Sequence, residues 1–171
     1  MGYWGIGIMD GDGPADLFYN ITEYVVNQAS VDTQATMNTI AETIYNTAED
    51  NPTLQAEYDA MYVELLSGPN LPNKMYQDID AIIDGRTGHD EGVQVLGVHF
   101  MERGIPLPAG MKKELLQICK RDDWSNDNDK RRVWMNNFIT QVKEYDGTSP
   151  VTIMSIDLFT ALSQSTIYTN S

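Results

Sequence analysis

Residues 37–66 read MNTIAETIYNTAEDNPTLQAEYDAMYVELL, and their spacing decides the fold class. Met37, Ile40, Ala41, Ile44, Tyr45 and Ala48 recur at intervals of three and four, the period of one face of an α-helix. Asn51-Pro52 follows as a capping side chain and a proline at the first helical position, where a missing N–H costs nothing. Leu54, Tyr58, Met61, Tyr62, Leu65 and Leu66 make a second stripe, stopped by Gly68-Pro69. The same period extends both ways. Upstream, Leu17, Ile21, Tyr24 and Val25 form a stripe after Asp12-Gly13-Pro14. Downstream, Met75, Ile79, Ile82 and Ile83 predict a helix ended by Gly85. Val93, Leu96, Gly97 and Phe100 predict another, closed by Gly104. Met111, Leu115, Ile118 and Cys119 predict a third after Pro106-Leu107-Pro108. Residues 122–129 read as a polar acidic loop, and Met135, Phe138, Ile139 and Val142 mark a long helix ending near Asp146-Gly147. Beyond Pro150 the pattern has two readings. Val151, Ile153 and Ser155 alternate as a strand would, while Ile156, Phe159 and Ala161-Leu162 suit a helical turn or two. The expectation is an all-α, single-domain bundle of about seven amphipathic helices over residues 1–171, with no repeat period.

Composition agrees. A chain of 171 residues with 42% apolar content can bury one core and is not a disordered sequence. No apolar run is long enough for a membrane span. The N-terminus has no basic leader region and meets Asp10 early, so it does not read as a signal peptide. Gly2 is followed at position six by Ile6, where myristoylation wants Ser or Thr. The single cysteine, Cys119, has no internal disulfide partner, and the expected setting is the reducing cytoplasm.

The net charge is −14, and its distribution is uneven. Residues 1–73 hold eleven acids and no Lys or Arg. Residues 74–171 hold fourteen acids and eleven bases, so the two parts carry −11 and −3. Such a field repels nucleic-acid backbones and anionic membranes, which excludes direct binding to either, and it attracts basic partners. The expected contact residues are Asp10, Asp12, Asp16, Glu23, Glu42, Glu49, Asp50, Glu57 and Asp59. Their expected partner is a basic protein surface, with nucleic-acid-binding enzymes the sharpest case because the acids would mimic nucleic-acid charge. A solvated acidic face accounts for the same residues without a partner.

Two segments carry a family resemblance. The start, Met1-Gly2-Tyr3-Trp4-Gly5-Ile6-Gly7 with Asp10, Asp12, Ala15 and Asp16, is similar to the N-terminal signature of an uncharacterised bacterial and bacteriophage family. So is the later stretch with Gly104-Ile105-Pro106-Leu107-Pro108, Trp124, Arg131-Arg132 and Tyr145-Asp146-Gly147. Gly13-Pro14 departs from the usual spacing before the alanine. The resemblance implies a prokaryotic or phage source and carries no activity.

Asp10-Gly11-Asp12-Gly13 after Gly5-Ile6-Gly7-Ile8-Met9 also looks like the aspartate motif of haloacid-dehalogenase-like phosphatases. That gives an alternative function, a Mg²⁺-dependent phosphohydrolase with Asp10 as nucleophile and Asp12 as acid/base. Those enzymes need a parallel α/β sheet, which the helical period does not supply. A match to DxDG alone is weak, and a tight glycine turn with acids at a helix start is the simpler reading of the motif. A calcium loop from Asp10 fails at Pro14 and Ile21, and one from Asp123 fails at Trp134. His89 and His99 lie ten apart, off a common helical face, so no zinc pair is expected, and no cofactor motif occurs. Cys119 falls on an apolar face and reads as a small buried hydrophobe. Tyr3 and Trp4 are expected to anchor the N-terminus onto the bundle, the alternative being partner contact. A self-associating structural role is the third functional class.

Overall fold

A computed structural model describes residues 5, 7–47, 49–85 and 87–153. The expected anchor residues Tyr3 and Trp4, and the tail from residue 154, lie outside the described residues. In order the helices are α1 (Asp12–Asn27), α2 (Val31–Asn46), α3 (Pro52–Leu66), α4 (Leu71–Gln77), α5 (Ile79–Ile83), α6 (His89–Glu102), α7 (Met111–Lys120), α8 (Trp124–Asp127) and α9 (Asp129–Glu144). No strand occurs among the described residues, and none of their helices is long and apolar enough to cross a membrane. The chain is all-α, as its periodicity indicates.

Local chemistry sets the ends. The Ser30 hydroxyl accepts from the Thr33 N–H at 3.2 Å. Asn51 accepts from the Leu54 N–H at 3.1 Å, with Pro52 opening α3. Asn128 accepts from the Arg131 N–H at 3.0 Å. The helix expected around residues 75–83 is broken at Asp78 into α4 and α5, and Asp84 and Gly85 stop it in the left-handed region (φ 52° and 71°). The loop expected over residues 122–129 contains the one-turn helix α8. Val151–Ile153 belong to no regular element, although the Val151 N–H donates to the Met101 carbonyl at 2.9 Å.

The largest difference from expectation is α6. Its stripe suggests an amphipathic helix, yet every residue from Gly92 to Met101 is buried. It is the central helix, covered by α1, α5 and α7. Gly97 is required by close approach, since a Cβ there would stand 2.6 Å from the buried Leu115 Cδ2 of α7. From this centre the packing runs outward both ways. On one side α1 carries α3, and α3 carries α2; on the other α7 carries α9. Eight of the eleven cations lie on α7 and α9 or between them, at residues 112, 113, 120, 121, 130, 131, 132 and 143. The step in charge along the chain therefore becomes a polarity across the bundle.

Candidate functional site

The α2–α3 hairpin forms the acidic edge. Residues 31–66 carry seven carboxylates (Asp32, Glu42, Glu49, Asp50, Glu57, Asp59 and Glu64) and no Lys or Arg, and all seven residues are exposed. The hairpin gives little to the core, with only Met37 and Ile40 of α2 and Tyr62 and Leu66 of α3 buried. None of its described residues from Ala41 to Glu57 is buried, so its turn end stands away from the body. Tyr45 near that end is 90% exposed. The ion pairs between described residues all fall within residues 80–132, so no described Lys or Arg neutralises the hairpin.

The expected contact residues divide accordingly. Glu42, Glu49, Asp50, Glu57 and Asp59 share the hairpin, and Asp32 and Glu64 join them without having been singled out by sequence. Asp12, Asp16 and Glu23 are exposed on α1. Asp10 is not on this surface. It is 1% exposed, its Oδ2 accepts the Gly7 N–H at 2.9 Å, and its own N–H donates to the Gly7 carbonyl at 3.2 Å. Asp10 therefore lies buried in a closed turn and not on the exposed acidic surface. The strand that the phosphohydrolase reading needs before Asp10 is absent among the described residues.

At the other edge a cavity of about 410 Å³ opens between the N-terminal turn, the start of α6, the end of α7 and the α8–α9 corner. Arg131 is its structural keystone. The guanidinium, almost fully buried, donates from Nε and Nη2 to Asp122 at 3.0 and 3.1 Å and lies 4.8 Å from the Trp124 ring centroid and 5.7 Å from that of Trp134. Burial alone would raise the Asp122 carboxyl. Hydrogen bonds from Arg131 and Ser125 outweigh it and hold the group below the usual carboxylate range. At the rim, Arg121 grips Asp90 with bonds of 3.2 and 2.9 Å. Gln94 lines the cavity although it is 6% exposed, and its amide N–H touches only the Cys119 sulfur, at 3.9 Å. Burial pushes the Cys119 thiol up to about 12, so it is a packing group and not a nucleophile at neutral pH.

The two histidines have opposite environments. His89 places Nδ1 2.6 Å from Asp80 and Nε2 2.6 Å from Glu114, whose other oxygen accepts from Tyr76. With a carboxylate at each nitrogen both must donate, so the ring is an imidazolium. Hydrogen bonds donated to Asp80 and then to Glu114 raise its pKa above 6.5. His99 is 1% exposed, with Nε2 2.6 Å from the Tyr62 hydroxyl and Nδ1 without a partner among the described residues. Burial, then nearby Arg103, keeps it neutral well below 6.5. The stability His89 supplies is therefore present below about pH 6.5 and lost as pH rises through its raised pKa. The unfolded chain takes up a proton at His99 below about pH 6.5, so that term weakens the fold as pH falls. Urea denaturation should show His89→Gln less stable than wild type near pH 6, with the gap closing toward pH 9.

No groups of three or more His, Cys, Asp or Glu suited to a metal ion occur among the described residues. Comparison with protein-family models, curated proteins and solved structures gives no match.

Proposed function

We propose that this chain acts by binding, as a cytoplasmic accessory factor of bacterial or phage type whose α2–α3 hairpin docks on a basic protein surface. The observation that carries the reading is the hairpin itself, with seven carboxylates, no cation and little share in the core. The hairpin departs from the mixed-sign surface usual for a small soluble domain. A single-sign projection steers and selects an oppositely charged partner. Tyr45 adds an exposed aromatic of the type enriched at interface centres. A nucleic-acid-binding enzyme fits this description, its basic groove being occupied by carboxylates in place of phosphates.

The test compares capture from host lysate by wild type and by a chain carrying Glu42→Gln, Glu49→Gln, Asp50→Asn, Glu57→Gln and Asp59→Asn. All five sites are exposed, so the fold should persist, as unchanged far-ultraviolet circular dichroism would verify. Basic proteins should be retained by wild type at about 50 mM salt and released by the substitutions or by about 500 mM salt. Equal retention by both chains would defeat the proposal.

A further inference from the structure

His99 lies on the central helix α6 where α1 and α3 reach it, and it is 1% exposed. The Phe18 ring of α1 meets it edge-on, 5.3 Å between centroids, and the Tyr62 hydroxyl of α3 stands 2.6 Å from Nε2. Nδ1 has no hydrogen-bond partner among the described residues. A neutral ring carries one N–H. An imidazolium carries two, so its Nδ1–H would meet no acceptor and its charge would be buried unpaired. The charge beside it is of the same sign: Arg103, one turn on, donates to the His99 carbonyl at 3.1 Å. Other titratable groups of the surrounding helices are turned elsewhere. On α1, Asp12, Asp16, Tyr19 and Glu23 are exposed and Tyr24 bonds to Asp78. On α3, Glu57, Asp59 and Glu64 are exposed and Tyr58 stacks on Tyr62. Asp80 of α5 and Glu114 of α7 both bond to His89. On α7, Cys119 meets Gln94, Lys112 bonds to the Lys143 carbonyl, and Lys113 and Lys120 are exposed; on α6 itself Glu102 is exposed.

The second observation is how lightly the hairpin is held. Helix α3 rests on α1 and α4 as well as on α2, and Tyr62 joins it to α6. The hairpin buries Met37, Ile40, Tyr62 and Leu66 over two helices, whereas α1 alone buries six residues and packs on both α5 and α6. A charge formed at His99 has to reach water, and the covering element with the fewest buried side chains opens at the lowest cost. That element is the hairpin. The Arg103 guanidinium lies 5.6 Å from the Tyr62 ring centroid, so a second cation beneath the same ring adds like-charge repulsion at this joint.

We propose that the His99–Tyr62 contact is a proton-operated latch: on mild acidification His99 takes up a proton and the α2–α3 hairpin parts from the central helix, while α7 and α9 stay packed. The claim concerns how the hairpin is held and does not depend on what it binds. Once open, the ring titrates at its ordinary value of about 6.5, so each pH unit below that favours the open form about tenfold. His89 acts with the opposite sign, gaining its bonds to Asp80 and Glu114 as pH falls, and is not the source of such a loss. Hydrogen-exchange mass spectrometry on the full chain, corrected for the intrinsic effect of pH on exchange, reads the latch directly. Protection of residues 61–66 should fall about tenfold between about pH 7.5 and about pH 5.5, with residues 129–144 unchanged. His99→Gln and His99→Leu have no proton to take up in this range, and both should abolish the fall. A fall shared equally by residues 129–144, one under about twofold in wild type, or one that persists in either variant would overturn the proposal. The contrast between the two regions is read in wild type, so it decides the matter even where a variant folds poorly.

Discussion

Replacing Arg131 with alanine should destabilise the fold by about 3–5 kcal/mol, the usual cost of stranding a buried charge. The side chain is 5% exposed and that of Asp122 13%, so water replaces little of what is lost. The guanidinium also fills the space beside the faces of Trp124 and Trp134, and truncation opens that packing. Urea denaturation should give a lower midpoint with an unchanged slope. The double variant Arg131→Met, Asp122→Leu should recover much of the loss, because removing both charges leaves neither unpaired. The deficit of the single variant should also shrink on acidification. Without Arg131, burial of Asp122 is no longer outweighed to the same extent, so its carboxyl protonates at higher pH and ceases to be a stranded charge. Loss of under about 1 kcal/mol would show that this corner does not bear on the fold.

Gly104→Ala should cost about 2–4 kcal/mol, from two separate sources. Gly104 closes α6 at φ 69°, with its N–H donating to Met101 and that of Ile105 to Phe100. A Cβ in that left-handed conformation is strained by about 1–2 kcal/mol. It would also stand 2.5 Å from the Thr148 carbonyl oxygen, a backbone atom. That oxygen is not free to move away. Asp146 holds the turn by accepting from the Thr148 and Ser149 N–H groups at 2.8 and 2.7 Å, and the Tyr145 hydroxyl donates to the Ile105 carbonyl at 2.7 Å. Gly110→Ala is the internal control. Its φ is 83°, but nothing lies within 4 Å of the added Cβ, so only the conformational part applies. Hydrogen exchange should quicken at the Val151 N–H, which bonds to Met101, in Gly104→Ala and not in Gly110→Ala. Equal losses in the two variants would remove the steric argument.

Helices and most of their ends were legible because they depend on neighbours in sequence. The stripe from Met37 to Tyr45 and the Asn51-Pro52 start are local facts. The centrality of α6 was not legible, since Gln94 and His99 interrupt its apolar surface and their burial is decided by α7, α1 and α3. The charge step at residue 73 was plain in composition, but its placement on a hairpin at one edge follows from packing order. Asp10 was ambiguous for a related reason, as a DxDG motif fits an open catalytic strand or a closed turn, and its burial is a tertiary fact that the motif does not carry. The walls of the cavity come from residues 8, 90, 91, 94, 118, 121–124 and 131, and the partners of His89 come from residues 80 and 114, so no short motif carries either.

The hairpin account is tested most directly by titrating the captured basic protein, once purified, against the chain across a salt series. The account predicts affinity that falls steeply with salt for wild type, and a weaker, nearly flat response for the chain neutralised at Glu42, Glu49, Asp50, Glu57 and Asp59. Equal affinity and equal salt dependence for the two chains would contradict it.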